Sequence, residues 1–256
     1  MKGGLIFHSN SHVLPTVPLF NSTRISNSKA LHKRWRICAA LEIRVCVNRT
    51  CRRQGSMETL ETLSGIAPPS VTVKSCGCLG RCGAGPNLVA LPAGVIVGHC
   101  GTAAQAAEIM VDLCDGGGAG AMDSSSNSLA ALALRKRAED ELHKGNLSEA
   151  ELLLSQAIDR KPHGGIHFIY KHRSSVRLAM GNYSGALEDA KEALALAPQY
   201  PEAYICQGDA FLAMDQFDAA EKSYSASLQI DPSIRRSKSF KIRISKLQEK
   251  LTAAHA

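Results

Sequence analysis

Residues 145–150 read GNLSEA, and the same word returns as GNYSGA at 181–186 and as DQFDAA at 215–220. The spacings are 36 and 34 residues, and Pro162, Pro198 and Pro232 follow the three occurrences at matching distances. A period of this length is the footprint of a two-helix unit that buries its apolar face only by stacking on copies of itself. Small residues take the places where two helices of one unit would cross closely: Ala138, Ala150 and Ala157, then Ser174, Ala186 and Ala193, then Gly208, Ala220 and Ser227. The two extra residues of the first interval fall in His163-Gly164-Gly165, a loop that absorbs them at little entropic cost. Residues 233–252 add a last helix with Phe240, Ile244, Leu247 and Leu251 along one face. Its other faces carry Arg235, Arg236, Lys238, Lys241, Arg243 and Lys246, as a solvated capping helix requires.

This pattern resembles three tetratricopeptide repeats followed by a capping helix, over residues 128–256. The resemblance implies an all-α solenoid whose concave groove takes a protein partner. One subtype of the family clamps the C-terminal carboxylate of chaperones with Lys and Asn on the first two repeats and Lys and Arg on the third. At the matching places this chain has Arg135 and Glu139, then His172, then Glu202 and Cys206. Two acids facing a carboxylate repel it, so the expectation is a protein partner other than through this clamp.

Upstream, residues 115–127, DGGGAGAMDSSSN, read as a flexible linker. Ahead of it, residues 40–114 hold most of the cysteines of the chain: Cys46, Cys51, Cys76, Cys78, Cys82, Cys100 and Cys114, with Cys38 before and Cys206 after. LEIRVCV at 41–47 alternates as a strand does. The run after Cys51 reads as a helix capped by Ser56 and closed by Gly65 and Pro68. SVTVKSC is a second strand, residues 87–99 turn at Pro92-Ala93-Gly94 as a hairpin, and Thr102-x-x-Gln105 opens a helix with a capping box. If the first two strands are neighbours, the loops carrying Cys46-x4-Cys51 and Cys78-x3-Cys82 leave the same end of the sheet. Four converging thiolates suit zinc or a 2Fe–2S cluster, and loops wider than the usual zinc knuckle favour iron. A chain with no bound metal, or a dithiol switch, is the remaining alternative.

The stretch CLGRCGAGPNLVAL (78–91) also resembles the second cluster loop of the thioredoxin-like 2Fe–2S ferredoxins. That resemblance implies an α+β thioredoxin-like domain in which Cys46 and Cys51 ligate one iron and Cys78 and Cys82 the other, with Cys76 a bystander. The function it implies is that of a one-electron or cluster carrier docked to its partner through the repeats. The competing expectation is a repeat scaffold or assembly factor whose cysteine module is structural or redox-sensing. Neither reading contains a nucleophile–base pair, a phosphate loop or a nucleotide fingerprint, so an enzyme is not expected.

Charge sets the remaining bounds. Residues 1–39 contain six Lys or Arg, seven Ser or Thr and no acid, which is the composition of an organelle transit peptide. Ile37-Cys38-Ala39-Ala40 resembles a plastid processing site, so the expected address is the chloroplast stroma, with the mitochondrion as alternative. Setting that segment aside leaves 24 basic against 23 acidic residues, which argues against nucleic-acid binding. No apolar run reaches the roughly 18–20 residues a membrane-spanning helix needs.

Overall fold

The computed structural model describes residues 41–115 and 121–254; the expected transit peptide lies outside them. Strand β1 (Leu41–Cys46) buries Ile43 and Val45 on one face, and it pairs in parallel with β2 (Val71–Cys76), Cys46 opposite Cys76. On its other edge β1 pairs antiparallel with β3 (Leu88–Leu91), which turns through Gly94 into β4 (Val95–Val97). The sheet order is β2-β1-β3-β4. Between β1 and β2 lie a short helix, α1 (Arg49–Arg53), and the longer α2 (Ser56–Ile66). The N-cap of α2 is Gly55, in the left-handed region at φ 95°, rather than the expected Ser56, whose side chain is buried one residue later. Helix α3 (Ala103–Asp115) opens with the reciprocal box expected of Thr102 and Gln105: Gln105 N–H donates to Thr102 Oγ1 at 3.2 Å, and Thr102 N–H to Gln105 Oε1 at 3.3 Å. The core of this half joins Ile43, Val45 and Leu88 of the sheet to Leu63, Ile66, Ala106, Ala107 and Met110 of the two helices.

The linker expected over 115–127 is corrected in its second half. Helix α4 runs from Ala121 to His143, so the Ser-rich stretch is helical, while residues 116–120 lie outside the described residues. It is held there by packing: α4 lies against α3, Leu129 and Leu132 join the core of the sheet domain, and Ser128 Oγ donates back to Ser124 O at 2.9 Å. Tertiary burial thus overrides a composition that favours a linker when it is exposed.

From α4 onward the chain is a solenoid of helix pairs: α4 with α5 (Leu147–Asp159), α6 (Ile166–Ala179) with α7 (Tyr183–Leu196), and α8 (Pro201–Ala213) with α9 (Phe217–Ile230). Each helix packs on its successor, and α6 also touches α8, so the first helices of successive pairs form one surface. The small residues picked out by the period are buried at the crossings; Ala150, Ala157, Ser174, Ala186, Ala193, Ala220 and Ser227 are 0 % exposed. Between the helices of a pair the chain turns through a left-handed residue, Gly145 (φ 84°), Gly181 (φ 81°) and Asp215 (φ 57°), which is why the repeated word begins with Gly, Gly and Asp. A half-buried ion network centred on the buried Asp189 ties the first pair to the second: Arg173 grips Asp189 through two bonds of 2.9 and 2.7 Å, and Arg177 reaches both Glu151 of α5 and Asp189. A 3-10 turn at Pro232–Arg236 leads into the capping helix α10 (Lys238–Ala254), whose Phe240 packs edge-on against the buried Tyr224.

Candidate functional site

Two places gather chemistry. The first is the surface made by α4, α6 and α8. Arg135 of α4 lies over the ring of Phe168 at 5.3 Å, and its guanidinium approaches Glu139 at 3.5 Å and the carbonyl of Gly65 at 3.4 Å. Burial pulls the pKa of Arg135 down, and Glu139 pulls it back. Glu139 also lies 3.4 Å from Nδ1 of His172. Burial, then the nearby Lys171 and Arg135, push His172 down to about 3, so its ring is neutral at physiological pH. Cys206 is buried behind them, 3.5 Å from Ser175 Oγ, and burial raises its pKa. Glu202 stands exposed at the start of α8. Arg135, Glu139 and His172 therefore fall together, with a cation already engaged by an acid, while Cys206 lies buried and takes no part in that contact. Sequence reading missed the aromatic corner beneath: His167, Phe168 and Tyr200 meet with ring centroids 3.9–5.4 Å apart. Its signal was an aromatic residue at the start of each of two successive first helices.

The sheet domain closes one end of this surface. Gly164 and Gly165 press against the backbone of Gly65–Pro68, so closely that a side chain on either would collide with it. Gly165 N–H donates to Ala67 O at 3.0 Å, and Lys136 pairs with Glu61 at 2.6 Å.

The second place is the cysteine end of the sheet. Because β1 and β2 are parallel neighbours, both Cys loops leave the same end of the sheet. Each pair predicted from sequence is brought together. Cys46 and Cys51 are both buried, and their thiols interact. Cys51 is raised first by burial, although Asn87 Nδ2–H donates to its sulfur at 3.6 Å. Cys78 and Cys82 are both exposed, with sulfurs 3.5 Å apart. The Gly80 N–H donates to Cys78 Sγ at 3.4 Å and lowers its pKa; the neighbouring Cys78 raises that of Cys82. Cys76 is half-buried in the ladder, and Cys100 is fully buried, its S–H donating to Pro86 O at 3.0 Å with burial pushing it up to about 11.

This arrangement corrects the ferredoxin reading. Among the described residues, no three His, Cys, Asp or Glu side chains come together in a group able to hold a metal ion. Cys46 and Cys51 are buried while Cys78 and Cys82 are exposed, so the two pairs do not make the single four-thiol group that the iron–sulfur expectation, and the electron-carrier function drawn from it, require.

Comparison with known proteins falls on the helical half. Residues 177–238 match the family model described as Tetratricopeptide repeat. The Protein STIP1 homolog of Dictyostelium discoideum is 32% identical over 108 residues, 42% of this chain and 19% of that protein. The Hsp70-Hsp90 organising protein of Plasmodium falciparum is 33% identical over 89 residues, 35% of this chain and 34% of that protein. This chain thus spans between a fifth and about a third of the length of these curated relatives. Among solved structures, the first TPR of Spaghetti (RPAP3) bound to the HSP90 peptide SRMEEVD aligns with a TM-score of 0.44 and 22% identity over 48% of this chain and 94% of that one. The expectation that argued against a chaperone carboxylate clamp is corrected by this company, since Hsp70-Hsp90 organising proteins are among the relatives. Residues 177–238 thus carry the tetratricopeptide repeat, and the helix pairs on either side of that stretch stack in the same manner.

Proposed function

We propose that this chain is a non-enzymatic adaptor that holds an extended C-terminal segment of a partner protein on the surface of α4, α6 and α8. The observation that carries the reading is the similarity of this half to the repeats of Hsp70-Hsp90 organising proteins, whose name ties them to those chaperones. The groove supplies a cation, Arg135, at a position where the clamp subtype carries Lys, and it holds that cation in an ion pair with Glu139. An acidic peptide terminus must therefore compete with Glu139 for the guanidinium. Removing the competing charge strengthens binding, and removing the cation weakens it.

The test is a fluorescence-anisotropy titration of the full chain with labelled SRMEEVD, as the free acid and as the C-terminal amide. Binding of the free acid is expected, with the amide weaker. Arg135→Ala should weaken it about tenfold, the equivalent of one charged hydrogen bond, and Glu139→Gln should tighten it several-fold. If the free acid and the amide bind alike, or if Glu139→Gln leaves the affinity unchanged, the carboxylate-directed reading fails.

A further inference from the structure

We propose that Cys78 and Cys82 form a redox-active dithiol that closes into an intramolecular disulfide when a low-molecular-weight disulfide is supplied. The inference is independent of what the helical groove binds. Both thiols are solvent-exposed and already 3.5 Å apart, against the ~2.05 Å of an S–S bond, so closure needs a movement of about 1.5 Å. The segment that must move lies between the end of β2 and the short 3-10 turn at Cys82–Ala84, outside the strand ladder. It is built to yield: a side chain placed on Gly77 or Gly83 would touch nothing, and Gly80 turns the chain in the left-handed region at φ 79°. The Gly80 N–H aimed at Cys78 Sγ stabilises a thiolate there and marks Cys78 as the attacking sulfur. None of the other described cysteines of this half combines these features, since Cys46, Cys51 and Cys100 are buried, Cys76 is tied into the ladder opposite Cys46, and Cys114 is half-buried on α3 beside Met110.

The step balances as ordinary thiol–disulfide exchange. The Cys78 thiolate attacks one sulfur of R–S–S–R; that S–S bond breaks and RS⁻ leaves with the electron pair. Cys82 then gives its proton to the first leaving thiolate and attacks Cys78 Sγ, expelling the second RS⁻, which takes up from water the proton that Cys78 released on forming its thiolate. Two protein thiols are oxidised and one R–S–S–R is reduced to two RSH.

The experiment uses the full chain and a series of oxidised-to-reduced glutathione ratios, read by alkylation and peptide mass mapping. The wild type should lose two hydrogens, with one proteolytic linkage joining Cys78 to Cys82, reversed by reduced thiol. Cys82→Ser should stop at a single glutathione on Cys78, and Cys78→Ser should slow modification of Cys82 about tenfold. Because the readout is thiol chemistry, its outcome does not depend on peptide binding. Three results would overturn the proposal: both thiols staying free in oxidised glutathione, mapping that links either one to Cys76, or a metal in the purified chain that shields both from alkylation.

Discussion

His167 shows how a single residue couples packing to pH. It is 4 % exposed, tilted against Phe168 and edge-on to Tyr200, and its Nδ1 has no hydrogen-bond partner among the described residues. Burial first, and the Arg135 charge second, push its pKa down to about 4. An unfolded histidine takes up its proton near 6.5, so the folded state is fully favoured above that pH and loses stability as pH falls from 6.5 to 4. At about pH 5 the residue should lower stability by roughly 2 kcal/mol relative to neutral pH. His172, pushed down to about 3, adds a loss of its own in the same range, so urea unfolding at the two pH values should show a wild-type loss that shrinks by about 2 kcal/mol in His167→Phe, which keeps the ring contacts without the titration. An unchanged pH dependence in the variant would assign the loss to other groups. At this scale the sequence disclosed the small residues of the helix crossings, because they repeat. It did not disclose what Arg135 does, because its carbonyl partner Gly65 is 70 residues away and belongs to another domain.

At the scale of elements, the turns inside the helix pairs report directly on the repeated word. Gly181 adopts φ 81° with open space around it, so Gly181→Ala introduces no collision and isolates the cost of a left-handed residue, about 1 kcal/mol. Asp215 occupies the equivalent turn at φ 57°, and its exposed ion pair with Lys250 at 3.7 Å contributes little. Asp215→Gly should therefore be neutral to stabilising by up to about 1 kcal/mol. Thermal unfolding of the two variants should shift in opposite directions; a loss in both would mean that the Asp215 side chain matters more than its backbone. Strands, helices and turns were legible here wherever the signal was local, as in the Thr102–Gln105 box or the alternation of β1. Local reading failed over residues 121–127, where packing on the sheet domain makes a helix of a Ser-rich stretch, and at α1, a single turn too short to leave a periodic trace.

For the whole molecule, the decisive feature is the contact between the sheet domain and the first repeat. Gly165, at φ 75°, donates to Ala67 O, and any side chain there would strike the carbonyl of Gly65. Gly165→Ala should cost about 1–3 kcal/mol and raise hydrogen exchange at the C-terminal end of α2 while leaving α8 and α9 protected. Uniform exchange across the chain would show that this contact is not a separable joint. The sequence by itself determined the helical repeat, because a period of about 34 residues specifies stacking without long-range information. It also placed Cys46 and Cys51 on one loop and Cys78 and Cys82 on another, because the members of each couple are close in the chain. Only the tertiary structure decided that the first pair is buried and the second exposed, and that the sheet domain seats itself against Arg135. Both depend on how distant segments pack, and burial, unlike periodicity, leaves no local mark in the chain.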